Sequence, residues 1–79
     1  MDLIDYRAQI DRVDAELQRL LHERMEIVKK VAEYKKENGL PVLDSGREKE
    51  KLDAIDCPYT QKLYKTLFEL SREYQEGVI

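Results

Sequence analysis

Three cations in one long helical segment are the residues best suited to chemistry in this sequence. Arg24 and Lys35 are eleven residues apart, which in an α-helix is three turns with about 20° of rotation, so both side chains face the same side. Arg7 lies 28 residues before Lys35, about 42 Å away along the same helix. A ligand could therefore lie between Arg24 and Lys35 of one chain, whereas Arg7 would reach it only from a second copy.

Arg24 also interrupts an apolar pattern. Two columns at seven-residue spacing are otherwise apolar or aromatic: Leu3, Ile10, Leu17, Arg24 and Val31, and Tyr6, Val13, Leu20, Ile27 and Tyr34. Such a repeat is the seam along which a helix meets another helix. A charge within a seam must find a partner because its desolvation is costly. An anionic ligand would be such a partner, and an ion pair with Glu23, Glu26 or an acid of another chain is the alternative.

An antiparallel pair of these helices would bring the distant cations together. If two copies pair about a centre near residue 20, Arg7 of one chain falls beside Lys35 of the other. The symmetry of such a dimer would build two equivalent cationic sites, each supplied by both chains.

Further polar residues could complete the site: Asp44, Arg47 and Glu48 near the start of a second helix, and Ser71 and Gln75 on a third. Each group also has a simpler interpretation. Ser45 and Glu48 fit a capping box, which would account for Glu48 by itself. Ser71 and Gln75 lie one turn apart and would otherwise form a surface pair.

The chemistry that these residues suit is the binding of a small dicarboxylate. Arginine binds carboxylates through its planar fork, and lysine adds a compact point charge. The sequence shows no nucleophile beside a base, no glycine-rich phosphate loop and no cofactor motif. Catalysis at such a site would act by positioning and by electrostatic stabilisation of charge that develops in the transition state. We therefore expect no cofactor.

Length and composition narrow the class of protein. The 79 residues predict one domain, residues 1–79, too small to be comfortably stable without association. One cysteine and one histidine exclude an intrachain disulfide and a zinc site. No apolar run approaches the roughly 20 residues that span a bilayer, and the acidic Asp2 and Asp5 argue against a secretory leader, so we expect a cytoplasmic protein. The net charge of −3 argues against a nucleic-acid partner.

Helical periodicity and breakers predict an all-α fold of three helices, one long, one short and one of medium length. The first should run from about Asp5 to Glu37, with Asn38 and Gly39 as a left-handed stop. The second should start near Asp44 or Ser45 and include REKEKLDAI. The third should run from about Pro58, a favourable first residue, to Glu76.

Three segments together, YRAQIDRVDAELQRLLHERMEIVKKVAEYK, LPVLDSGREKEKL and LFELSREYQ, resemble the all-helical chorismate mutases of the shikimate pathway. The resemblance covers nearly the whole chain. It implies an intertwined homodimer of three-helix chains that rearranges chorismate to prephenate without cofactor or metal. Each active site would be lined mainly by one chain, with an arginine from the other.

The resemblance also implies a role for each matching residue. Arg7 of the partner chain and Arg24 would each bind one carboxylate of chorismate. Lys35 would bridge a carboxylate and the ether oxygen, and Gln75 would donate to that same oxygen as the carbon–oxygen bond breaks.

At the other side of the site, the resemblance assigns Glu48 to the ring hydroxyl of chorismate, with Asp44 at the same edge. Arg47 would belong to the cationic lining, and Ser71 would contact a carboxylate.

Three other functions are compatible with the sequence. An isochorismate pyruvate-lyase is similar in fold and uses a comparable cationic pocket. A non-catalytic helical dimerisation module would use Arg24 only to fix the register of its helices. A regulatory domain that binds an aromatic amino acid is the third, although the sequence shows no separate effector domain.

Overall fold

The computed structural model describes residues 1–78, and it has three helices in the order α1 (Leu3–Glu37), α2 (Ser45–Asp53) and α3 (Pro58–Val78). The predicted all-α fold with one long, one short and one medium helix is confirmed. Ile79, the last residue of the domain expected from the sequence, lies outside the described residues.

α1 is one uninterrupted helix of 35 residues. It begins two residues earlier than predicted because Asp2 is its N-cap: the Asp2 and Asp5 side chains each accept a hydrogen bond from the other's backbone N–H, which forms a capping box. It ends as predicted, with Gly39 at a φ of 64° and the Leu40 amide donating to the Lys35 carbonyl at 2.8 Å.

The N-cap of α2 differs from the one expected. The prediction that Ser45 and Glu48 form a capping box is wrong. Asp44 is the N-cap, since its side chain accepts a hydrogen bond from the Arg47 amide at 3.1 Å. Ser45 is therefore the first helical residue, and the Glu48 side chain is available for another partner. Asp44 and Ser45 are adjacent residues that both favour the N-cap position, and the sequence alone does not show which of them caps the helix.

α2 is also shorter than predicted, because the helix ends at Asp53 before Ile55. The Ile55 amide bonds to the Leu52 carbonyl at 3.0 Å in a tight final turn. The Gln61 amide of α3 then caps the carbonyls of Leu52 and Ile55 at 3.2 and 2.6 Å. The connection to α3 is thus fixed by a side chain of α3 itself.

Packing within one chain is sparse. α3 contacts both α1 and α2, and among residues 1–77 the buried apolar residues are Val28 and Ala32, both on α1. The chain measures 55 × 24 × 15 Å and has a radius of gyration of 15.9 Å, whereas a compact chain of this length would have about 12 Å. At 1.5 Å per residue, the 21 residues of α3 extend about 31 Å and leave roughly 20 Å of α1 uncovered.

The uncovered part of α1 is its N-terminal half, and its apolar side chains are exposed. From Leu3 to Leu21, every large apolar residue of α1 keeps at least 40% of its surface accessible. A stretch of this size is typical of a surface that another protein chain covers.

Candidate active site

A cavity of about 430 Å³ lies between the three helices. This volume falls within the usual range of small-molecule sites, roughly 300 to 1,000 Å³. The C-terminal half of α1, the first residues of α2 and the second half of α3 supply most of its lining. Seven of the eight site residues predicted from the sequence line it: Arg24, Lys35, Asp44, Arg47, Glu48, Ser71 and Gln75.

Arg24 projects from α1 toward α3, where it meets Ser71. Its Nη1 donates to the Ser71 Oγ at 2.5 Å, and this hydroxyl in turn donates to the Leu67 carbonyl at 2.7 Å. Ser71 is buried, with 6% of its surface exposed, so it is not a surface residue. Ser71 thereby holds the Arg24 guanidinium on the cavity wall.

The predicted alternative for Arg24, an ion pair with a neighbouring acid of its own chain, is wrong. Glu23 is paired with Arg19 at 3.5 Å, and Glu26 is paired with His22 at 3.2 Å. The side chains of both pairs are exposed to solvent. A guanidinium has five N–H donors, and the bond to Ser71 uses one of them, so Arg24 keeps donors for an anion in the cavity.

Lys35 connects α1 with α3 and with the segment before α2. Its Nζ donates to the Gln75 Oε1 at 3.1 Å and to the Val42 carbonyl at 2.8 Å. Gln75 is 7% exposed. Because an ammonium can only donate, it holds the carbonyl end of the Gln75 amide, and the NH₂ end remains a donor. The pair therefore presents two kinds of donor, one charged and one neutral, at the same place in the cavity.

Glu48 projects from α2 toward α3, where Arg72 Nη1 donates to its Oε1. The two side chains are about three quarters buried, at 28% exposed for Arg72 and 24% for Glu48. Their hydrogen bond and ionic attraction raise the pKa of Arg72 above its ordinary value. Arg47, one residue before Glu48, is an exposed residue at the cavity edge.

The cavity is more positive than the protein around it. Five cations line it against three acids, which gives a net charge of +2 in a chain whose net charge is −3. The cations are Arg24, Lys35, Arg47, Lys51 and Arg72, and the acids are Glu23, Asp44 and Glu48. Such a concentration of positive charge favours an anionic ligand of small size.

Arg7 lies apart from this cavity, on the exposed N-terminal half of α1. The structure thus agrees with the expectation that one chain cannot bring Arg7 to Lys35. Its predicted place in the site depends on a second chain.

The cavity lining also includes Arg72, Lys51 and Glu23, which the sequence patterns do not predict as site residues. Arg72 carried a usable signal, because it follows Ser71 directly and so lies beside the polar interruption of the α3 stripe. Its contact with Glu48, however, joins residues that are 24 positions apart on two different helices. Helical spacing gives no information about such a contact.

Residues 1–78 contain neither a group of side chains arranged to hold a metal ion nor a helix that could span a membrane. This part of the chain holds no cluster of three or more His, Cys, Asp or Glu side chains with the proximity that a metal ion needs. No helix of the described residues combines the length and the apolar character that a membrane span requires.

Comparison with known proteins gives a family match over most of the chain. The family model described as chorismate mutase type II matches residues 6–76. A bifunctional chorismate mutase/prephenate dehydratase of Aquifex aeolicus is 39% identical over 77 residues, which is 98% of this chain and 18% of that protein. A chorismate mutase of Methanocaldococcus jannaschii is 40% identical over 53 residues, 67% of this chain and 54% of that protein. The chain therefore spans about a fifth and about half of the lengths of these two relatives.

Proposed function

Because the chain belongs to the chorismate mutase type II family, we propose that it converts chorismate to prephenate, a step in the biosynthesis of Phe and Tyr. The reaction is a Claisen rearrangement within one molecule: the ether C–O bond breaks while a C–C bond forms, and no atom is gained or lost. We take residues 1–79 as one domain with this activity, which the match over residues 6–76 supports.

The observation that carries the proposal is the cationic cavity between the helices. Chorismate has two carboxylates, and a cavity of net charge +2 would neutralise them. Arg24, oriented by Ser71, would bind one carboxylate through its remaining N–H groups. Arg47 would add to the positive field at the cavity edge.

Lys35 and Gln75 would lower the barrier of the chemical step. As the C–O bond breaks, negative charge develops on the ether oxygen, and a donor already aimed at that atom stabilises the transition state more than the substrate. The Lys35 ammonium fixes the carbonyl end of the Gln75 amide, so its NH₂ group is the end that remains to donate to this oxygen. Lys35 would also reach a carboxylate.

The remaining polar residues would select and orient the substrate. Glu48 would accept a hydrogen bond from the ring hydroxyl, near the end of α2 where Asp44 caps the helix. Holding the flexible substrate by its two carboxylates and its hydroxyl would favour the folded, chair-like conformation from which the rearrangement proceeds. The catalysis assigned to the protein's own residues consists of this positioning and of the electrostatic stabilisation.

The proposal includes a homodimer in which Arg7 of each chain completes the site of its partner. The exposed apolar half of α1 supports it, since a second copy of the same surface would cover these side chains. With α1 helices antiparallel about residue 20, Arg7 would lie near Lys35 of the partner, where it would bind the second carboxylate.

We also propose a cytoplasmic location. Cys57 is an exposed free thiol, which is typical of proteins that reside in a reducing compartment. Fractionation of cells that produce the tagged chain would test the location.

The first experiment is a spectrophotometric assay of purified protein with chorismate, followed by identification of the product. Prephenate is the expected product. A protein that leaves chorismate unchanged but releases pyruvate and salicylate from isochorismate would instead be a lyase.

A second experiment separates an enzyme from a helical dimerisation module. Arg24→Leu should abolish turnover while it keeps or raises the thermal stability, because a partly buried charge in an apolar seam is often destabilising. A variant with full activity would refute the role of Arg24 in catalysis and leave only a role in helix register.

A third experiment tests whether two chains share each site. Arg7→Ala and Arg24→Ala chains should each be inactive as homodimers. Once the two are mixed and exchange subunits, half of the dimers are mixed and each has one intact site, so about a quarter of the wild-type activity should return. Activity that stays at the level of the separate variants would contradict a shared site.

A further inference from the structure

Arg72 is a cavity residue to which the functions discussed so far assign no role. It lies on α3 directly after Ser71, and its guanidinium contacts the Glu48 carboxylate of α2. Both side chains are mostly buried from solvent, at 28% and 24% exposed. The contact is thus part of the cavity wall and differs from the exposed ion pairs of α1.

The contact with Arg72 matters because little else holds the start of α2. No residue of α2 is buried, and the helix packs only on α3 among the described elements. Its far end is tied down by the Gln61 amide, which binds the Leu52 and Ile55 carbonyls. At its near end, the Arg72 side chain is the α3 group that bonds to the helix. Asp44, Arg47 and Glu48 all lie at this end.

The geometry of the pair leaves part of Glu48 available. Arg72 Nη1 bonds to Oε1 of Glu48, and among residues 1–78 no side-chain hydrogen bond is made by Oε2. A carboxylate held at one oxygen by a guanidinium remains a good acceptor at the other. Glu69 and Glu76 of α3 add weaker attraction for Arg72 but do not displace Glu48 as its main partner.

From these contacts we propose that Arg72 is a positioning residue, which fixes the Glu48 carboxylate so that its free oxygen accepts the ring hydroxyl of the substrate. The inference rests on the proposed function, because it presumes a substrate with such a hydroxyl. Arg72 thereby sets selectivity for the hydroxyl-bearing ring without touching the reacting atoms. Two neighbouring residues of α3 thus hold side chains of opposite charge: Ser71 binds the Arg24 cation of α1, and Arg72 binds the Glu48 anion of α2.

The test compares two substrates: chorismate, and the chorismate analogue whose ring hydroxyl is replaced by hydrogen. For Arg72→Met, we expect kcat/KM for chorismate to fall by about 10- to 100-fold, the usual effect of removing a residue that orients a binding group. For the analogue, kcat/KM should change by less than about threefold, since it makes no bond to Glu48. For each variant, the ratio of kcat/KM for chorismate to kcat/KM for the analogue is measured on one protein preparation. This ratio is therefore independent of the fraction of the protein that is folded.

Three further variants complete the experiment. Arg72→Lys should recover most of the preference for chorismate, because an ammonium also attracts the carboxylate. Glu48→Gln/Arg72→Met should lose little more than Glu48→Gln alone, as expected of two residues that act as one unit. Lys65→Met, which removes an exposed cation of α3, is the matched control and should leave kcat/KM unchanged for both substrates.

An equal loss for both substrates in Arg72→Met would overturn the inference, because it would indicate a direct carboxylate contact or a general structural role. An unchanged preference for chorismate over the analogue would overturn it as well, because the Arg72–Glu48 pair would then have no part in substrate selection. Wild-type protein that does not convert chorismate would refute the proposed function, and the inference with it, before any variant is made.

Discussion

Ser71 and Gln75 show why polar residues interrupt the apolar stripe of α3. Both are buried, yet neither lacks a partner, since Ser71 bonds to Arg24 and Gln75 bonds to Lys35. A buried polar group is tolerated when its hydrogen bonds are made. The four residues thus form two matched pairs, each of which joins α1 to α3 and orients a cation in the cavity.

These two pairs are the part of the cavity lining that helical spacing predicts well. Arg24 and Lys35 share a face of one helix, as do Ser71 and Gln75, so helical periodicity alone places each set on a common side. Glu48 illustrates the limit. Its contact with Arg72 depends on how the connections orient α2 against α3, which residue spacing does not encode.

We predict that loss of either donor proposed for the ether oxygen, Lys35 or Gln75, lowers kcat more than it raises KM. Lys35→Met and Gln75→Ala should each reduce kcat by about 10²- to 10³-fold, the usual cost of removing a donor that stabilises developing charge. Steady-state kinetics with chorismate measure this. Lys36→Met, which removes the adjacent exposed cation, is the control. An effect confined to KM would assign uniform substrate binding to these residues.

A second prediction concerns Cys57, which is exposed and has a pKa below the ordinary thiol value. The Thr60 side chain is the main cause, followed by the backbone N–H groups of Thr60 and Tyr59, because hydrogen bonds to the thiolate favour the charged form. Thr60→Val should therefore raise the pKa and slow alkylation by iodoacetamide at neutral pH.

The pH dependence of that reaction provides the check. At a pH above the pKa of Cys57 in both the wild type and the variant, the thiol is fully ionised in each, and the two alkylation rates should converge. Thr66→Val, a change on the exposed surface of α3, should have no effect at any pH. Equal rates for Thr60→Val and wild type at neutral pH would show that Thr60 does not stabilise the thiolate.

At the level of helices, strong local signals decided which predictions held. The end of α1 is set by Gly39, and the start of α3 by Pro58, two residues whose backbone preferences act locally. The ends of α2 lack such a local signal. Asp44 and Ser45 are both good caps, and the early end at Asp53 involves Gln61 of another helix.

Gly39→Ala should destabilise the protein even though there is room for the added methyl group. No atom lies within 4 Å of the Cβ position, so the cost comes from the backbone, at a φ of +64°. We expect a loss of about 1 kcal/mol, which corresponds to a decrease in Tm of roughly 5 °C for a domain of this size. Thermal unfolding followed by circular dichroism measures it.

Gly46→Ala is the matched control for that change. Gly46 lies inside α2, and its added Cβ would meet the Asp44 Oδ1 at 3.7 Å, an ordinary contact. Alanine is the better helix former, so Tm should stay the same or rise. A lower Tm in Gly46→Ala than in Gly39→Ala would contradict the assignment of backbone strain to Gly39.

For the whole molecule, the exposed half of α1 is the dominant feature. Within residues 1–77, Val28 and Ala32 are the buried apolar residues, which is too small a core to offset the conformational entropy lost when three helices become ordered. The sequence predicted this deficit from the chain length, and its apolar seam predicted that another helix would cover α1, but it did not predict how much of α1 the helix α3 would leave exposed. The uncovered surface lies on the N-terminal half of α1, beyond the end of α3.

Leu17→Glu tests whether a second chain covers this surface. Leu17 is in the apolar seam and is 48% exposed within one chain, so a carboxylate there should prevent association. Sedimentation velocity should show a dimer for wild type and loss of the dimer for the variant. Ala15→Glu, which puts the same charge on the opposite side of α1, should remain dimeric. A wild-type monomer would refute the shared site.

The scant intrachain cover of α1 has a consequence for how the protein reaches its native state. If the core is completed only when two chains meet, folding is a bimolecular event, and its midpoint depends on protein concentration. Dilution would then remove structure and activity together, without an idle folded subunit in between. The amount of protein that a cell makes would set the fraction that is folded as well as the total capacity for turnover.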